Sequence, residues 1–158
     1  RDVLVHAPRL TVVELGGNDF LRRVPVAETI ANLDAIVARL TSAGSMVVLL
    51  EINVGLLGDP YLAGYRELAA RHRALLIPDI LQGILTDPGL RVDAIHPNAK
   101  GHQRVATRVA PVLRDLLRAA DRHRGRSPQK AFGGRFPVAA LRGYRVDSSH
   151  GRPASRPA

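Results

Sequence analysis

Three short runs of β-branched and aliphatic residues, each followed by a segment of different period, restrict this chain to few folds. Residues 10–15 (LTVVEL) read as a nearly continuous apolar strand, as expected where both faces of a parallel sheet are covered. Residues 26–43 follow as a helix, with Ile30, Leu33, Val37 and Leu40 spaced for one buried face, and Gly44 stops it. Residues 46–52 form the second strand. Residues 61–73 form a helix with Leu62, Tyr65, Leu68 and Ala69 inward, and residues 74–77 a third strand. Such alternation implies parallel strands joined by helical crossovers, an α/β fold.

Beyond the third strand the pattern loosens. Residues 78–90 read as irregular, with one helical turn within 80–85 and a turn at Thr86-Asp87-Pro88-Gly89. Asn98 is placed to cap a last helix over residues 99–118, whose stripe runs Val105, Val109, Val112, Leu113, Leu116, Leu117. Pro111 should kink that helix by removing a backbone hydrogen bond.

Charge separates the chain into two parts. Of a formal +9 over 158 residues, residues 119–158 hold nine Lys/Arg against two acids, a net of +7, while residues 1–118 are close to balance. The expected organisation is therefore a domain over residues 1–118 and a basic, disordered tail over 119–158, in which residues 136–141 form a short apolar piece. No specific nucleic-acid partner is expected, because the tail arginines are scattered and only Phe132, Phe136 and Tyr144 could stack on bases. Without cysteine the chain has neither disulfides nor thiolate metal sites. Its longest apolar run, Met46–Leu50, is too short to span a bilayer, so no membrane span is expected.

In parallel sheets ligands sit beyond the carboxyl ends of the strands, which singles out the loops at residues 16–23, 53–60 and 78–97. Two of these hold unusual polar clusters. Gly16-Gly17-Asn18-Asp19 ends the first strand, where glycine permits positive φ and the Asn18 amide could donate to an oxyanion. Asp93 and His96 stand three apart before the last helix, a span that lets a carboxylate fold back onto the ring and hold a general base in one tautomer. Each cluster alone also fits a plain structural role, as a turn or as the start of a helix. His102 could join His96 at a metal only across the helix start, and no other ligand is spaced to complete such a site, so no metal and no cofactor are expected. A dinucleotide fingerprint is absent around Gly16 and Gly17.

Together, "VVELGGND" and "DAIHPNAKGH" resemble the SGNH hydrolases, the GDSL esterase/lipase family, in its arylesterase and acyl-thioesterase branch. The likeness runs over residues 1–118, with Gly16, Asn18 and Asp19 matching the third block and Asp93 and His96 the fifth. It implies a three-layer α/β/α flavodoxin-like sheet and a serine-type esterase that hydrolyses carboxylic esters or acyl thioesters through an acyl-enzyme. It implies Asn18 as oxyanion donor, His96 as base and Asp93 as its orienting acid, with Gly16, Phe20, Asn53 and Ile95 toward the substrate. Members are often periplasmic or secreted, and localisation is left open.

The family's Gly-Asp-Ser nucleophile block has no counterpart before Leu10, so the chain is expected to lack the first strands and to be inactive by itself. Ser42 and Ser45 flank a helix stop, Ser127, Ser148, Ser149 and Ser155 fall in the tail, and "LGDPYLAGY" has proline where that block has serine. An uncovered first strand would favour self-association and loose packing. The competing expectation is a non-catalytic remnant or binding module, with the basic tail touching acidic partners.

Overall fold

The computed structural model describes residues 2–53 and 60–126. After a 3-10 turn at Leu4–His6, the regular elements are β1 (Leu10–Val13), α1 (Gly17–Leu21), α2 (Val26–Ser42), β2 (Met46–Leu50), α3 (Pro60–His72), β3 (Leu75–Ile77) and α4 (Ala99–Arg126). Residues 54–59 of the loop expected at 53–60, and the tail from residue 127, including the apolar piece at 136–141, lie outside the described residues. Two compact units divide at Ile77 and Pro78.

In the first unit the strands form one parallel sheet in the order β1-β2-β3. Leu10 pairs with Met46 and Val13 with Leu49, while Val48 pairs with Leu75 and Leu50 with Ile77. β2 is central, and all five of its residues are buried, which is why it reads as unbroken aliphatic sequence. β1 is shorter than expected: Glu14 and Leu15 run past the paired register and are exposed. Ser45 and Thr11 join their hydroxyls at 2.8 Å across the start of the β1–β2 pair. Among the described residues β1 has no second strand partner, and Val12 is 38% exposed.

Helix α2 buries Thr29, Leu33, Val37 and Leu40. Thr29 takes the place expected of Ile30, which instead packs at the margin of the core against α3. A Cβ on Gly64 would lie 2.4 Å from Ile30 Cδ1, so the glycine inside α3 is what allows the two helices to approach. Gly44, at φ 87°, ends α2: its N–H donates to Thr41 and that of Ser45 to Leu40, closing the carbonyls that the last turn leaves open. At the surface Asp34 of α2 accepts from His72 Nε2 at 2.9 Å and Arg71 at 2.8 Å, and these partners, His72 foremost, hold its carboxyl below the ordinary value. Val13, Leu33, Val37, Val47, Leu49, Tyr65 and Leu68 meet in one core.

In the second unit, residues 80–86 make turns and Pro88–Leu90 a 3-10 turn capped by Asp87, whose carboxylate accepts from Gly89 N at 2.8 Å. Arg108 of α4 donates to the carbonyls of Ile80 and Gln82, both at 2.6 Å, and so ties this irregular segment to a helix. Burial pushes the Asp79 carboxyl up, an effect that Arg108 opposes. α4 passes through Pro111 and continues to Arg126, eight residues past the expected end at 118. The stripe does not stop there, since Leu116, Ala119 and Ala120 are buried, and Arg and Ala favour helix. The first part of the expected disordered tail is therefore helical. Among the described residues no helix is long and apolar enough to cross a membrane.

Candidate active site

The polar residues after β1 are organised by Gly16. Its φ of 115° is open only to glycine at low cost, and from there the chain enters α1 directly: Phe20 N donates to the Gly16 carbonyl at 3.0 Å. A loop was expected over residues 16–23, and within it the structure makes a single helical turn with Asn18 at its second position. Asn18 is exposed, and its own carbonyl accepts from Arg22 N at 3.0 Å. Phe20 turns inward and meets the Tyr61 ring edge-on, with centroids 6.4 Å apart. Asn53 follows the carboxyl end of β2 and is half-buried.

The second cluster is built by a loop that closes on itself. Arg91 and Pro97 form an isolated antiparallel bridge, Val92 N donates to His96 O at 2.9 Å, and Asn98 N donates to Leu90 O at 2.8 Å. Inside this loop Asp93 folds back as its spacing from His96 predicts. Oδ1 accepts from Ile95 N at 3.0 Å, His96 N at 2.9 Å and His96 Nδ1 at 3.0 Å, and Oδ2 accepts from His96 Nδ1 at 2.7 Å. The Ile95 N–H, then the His96 ring and backbone N–H, lower the Asp93 carboxyl from 3.8 to about 2. An ionised carboxylate can only accept, so Nδ1 carries the hydrogen. In that tautomer Nε2 is the lone-pair nitrogen, the arrangement a general base needs. The His96 and Asp93 side chains are 45% and 54% exposed, so the pair is open to a reactant. Ile95 is buried and anchors the loop.

Three further residues hold this loop. Asn98 caps α4, its Oδ1 accepting from Lys100 N at 2.9 Å and Gly101 N at 3.1 Å while its amide donates to Gly89 O at 2.9 Å. Gly101 lies so close to the loop that a Cβ there would sit 2.1 Å from the Leu90 carbonyl oxygen. Arg91 donates to the Asp93 carbonyl at 2.9 Å. The cap was legible from sequence, whereas Gly101 and Arg91 were not, because their roles depend on what folds against them. His102 takes part through its backbone, donating to Asn98 O within α4. Among the described residues no group of three or more His, Cys, Asp or Glu could hold a metal ion.

A parallel α/β sheet, and a loop that presents a carboxylate-oriented imidazole ahead of a helix, define the class of protein. The chain belongs to the GDSL-like lipase/acylhydrolase family, whose model matches residues 1–104. It is similar to esterase TesA of Pseudomonas aeruginosa, 34% identical over 116 residues, which cover 70% of this chain and 58% of that protein. It is similar also to thioesterase 1/protease 1/lysophospholipase L1 of Escherichia coli, 30% identical over 118 residues, or 71% and 57% of the two chains. The crystal structure of TesA superposes with a TM-score of 0.61 at 32% identity, over 70% of this chain and 65% of that one. The chain thus spans somewhat under three fifths of the length of these curated relatives. The expected α/β fold of SGNH esterases is the one observed.

Proposed function

We propose that residues 1–118 are the part of a serine-type ester hydrolase that carries the base and one oxyanion donor, acting on carboxylic esters or acyl thioesters. The observation that carries this reading is the two-oxygen grip of Asp93 on His96 Nδ1, with Oδ2 at 2.7 Å. In this reading His96 Nε2 takes the proton of an attacking serine hydroxyl as its oxygen adds to the ester carbonyl. The imidazolium, stabilised by Asp93, then returns that proton to the leaving alcohol or thiol. Water, activated by the same nitrogen, releases the acid from the acyl-enzyme. Asn18, on a helical turn beyond the carboxyl end of β1, donates to the oxyanion. The names of the relatives support the ester and thioester classes. Gly16, Phe20 and Asn53 belong to the substrate side through their loops, whereas Ile95, expected there too, is buried and supports the loop that bears His96.

The serines at described positions do not supply the nucleophile. Ser42 is the last residue of α2, and Ser45 is buried with its hydroxyl bonded to Thr11. A Gly-Asp-Ser segment outside the described residues is required, and the chain by itself is inactive in this reading. The test is hydrolysis of p-nitrophenyl acetate by the chain alone and after a Gly-Asp-Ser segment is joined to it or added in trans. The expected result is no turnover alone and turnover on completion, lost in His96→Ala and strongly reduced in Asn18→Ala. Turnover by the unmodified chain that vanishes in His96→Ala would place the nucleophile elsewhere.

The exposed side of β1 favours one further property. Val12 in β1 and Leu15 just past its end are 38% and 48% exposed, beside a strand with an open edge among the described residues, which is a template for pairing with a second copy. Sedimentation of the chain is expected to show association that a Val12→Lys change reduces. A strictly monomeric parent would remove this property without touching the catalytic reading.

A further inference from the structure

We infer that Tyr65 and Tyr61, one helical turn apart on α3, are positioning residues that aim Asn18 by clamping α1 at both ends. The inference rests on the reading of Asn18 as oxyanion donor.

α1 has five residues, far too few to hold its direction by helix propensity, so its joints must set it. At the leading joint the buried Tyr65 hydroxyl donates to the Leu15 carbonyl. It also occupies the space a side chain on Gly16 would need: a Cβ there would lie 2.7 Å from Tyr65 Oη and 3.7 Å from Thr29 Cγ2. The peptide between Leu15 and Gly16 is therefore held from one side by a hydrogen bond and packed from the same side by the group that makes it. Two residues later comes Asn18. At the trailing joint, Tyr61 Oη donates to the Val24 carbonyl at 3.4 Å, and its ring takes the edge of Phe20. Val24 N in turn donates to the Asp19 carbonyl at 2.9 Å. Tyr65 and Tyr61 are almost fully buried, 1% and 7% exposed, so their hydroxyls are fixed by the core rather than by solvent. An oxyanion donor acts only if it points where charge develops, and a displacement of a fraction of an ångström lowers the rate.

The test uses Tyr65→Phe, Tyr61→Phe and Asn18→Ala in the polypeptide carrying the attacking serine, with kcat and KM measured separately on p-nitrophenyl acetate. Tyr65→Phe is expected to lower kcat about tenfold, the scale of one positioning hydrogen bond, and to leave KM within about twofold. Tyr61→Phe, which loses a longer bond, is expected to lower kcat about threefold. The same two changes made in the Asn18→Ala background are expected to have no further effect on kcat, since they act through Asn18. In the chain as it stands, Tyr65→Phe is expected to shift the Asn18 side-chain amide resonances and to leave those of the His96 ring in place. If Asn18→Ala lowers kcat while Tyr65→Phe does not, or lowers it equally in both backgrounds, the positioning role is wrong and the oxyanion reading stands. If Asn18→Ala leaves kcat unchanged, both fall. Should Tyr65→Phe fail to fold, the Tyr61→Phe pair decides by the same comparison.

Discussion

Replacing Asn98 by alanine removes three hydrogen bonds at one point. Two satisfy the N–H groups of Lys100 and Gly101 in the first turn of α4, and the third ties that turn to the Gly89 carbonyl. Loss of a side-chain cap costs about 1 kcal/mol, and the extra bond from a half-exposed amide about 0.5 kcal/mol, a total of about 1.5 kcal/mol. That energy is expected to appear as local opening, because the same residue closes the loop bearing Asp93 and His96. At about 1.4 kcal/mol per factor of ten, the Lys100 and Gly101 amides should exchange with deuterium about tenfold faster, with α2 amides unchanged. Asn98→Asp separates the contributions. Its carboxylate keeps both cap bonds and suits a helix N-terminus, but sets an oxygen against the Gly89 carbonyl. Lys100 and Gly101 should then stay protected while the amide of Val92 exchanges faster. Unchanged exchange at Lys100 and Gly101 in Asn98→Ala would refute the argument, since it would mean that the cap does not secure this end of the helix.

Asp93→Asn keeps an oxygen for the Ile95 and His96 N–H groups but turns an amide donor toward the ring, so Nδ1 must accept and Nε2 carries the hydrogen. Nitrogen chemical shifts of His96 should report this exchange of tautomers, and turnover in the completed enzyme should fall on the order of a thousandfold or more. The Asp93 carboxyl, lowered from 3.8 to about 2, favours the folded loop fully above pH 3.8 and loses that contribution as pH falls through about 2. Its side-chain carbon should therefore titrate with a midpoint near pH 2, and a midpoint near the ordinary carboxylate value would contradict the grip on His96. Gly101→Ala gains about 1 kcal/mol of helix propensity but drives a methyl group to 2.1 Å from the Leu90 carbonyl and 2.8 Å from Pro97 Cβ. The strain should dominate and destabilise by about 1–2 kcal/mol in urea unfolding followed by circular dichroism, and a more stable variant would show that the close approach is absent.

Much of this protein is legible in the order of its residues because the signals are local. An unbroken aliphatic run such as Met46–Leu50 suits a strand buried on both faces, and β2 is that strand. Asp93 and His96 need only a turn to meet, and Asn98 only its own first helical turn to cap, so spacing sufficed for both. Where neighbours distant in sequence decide, local pattern failed. β1 stops at Val13, where the register with β2 ends, although the apolar run continues to Leu15. α1 contains two helix-poor residues in its first two positions and too few residues to show a period. It forms because Gly16 takes a positive φ and α3 brings tyrosines 61 and 65 against its joints. The approximate places of the strands and long helices, and the imidazole–carboxylate pair, are thus legible in patterns that span a few residues. The direction of Asn18, the close approach at Gly64 and Gly101 and the bracing by Arg108 arise only after segments far apart in the chain have packed, since a side chain has no fixed partner until the tertiary fold supplies one.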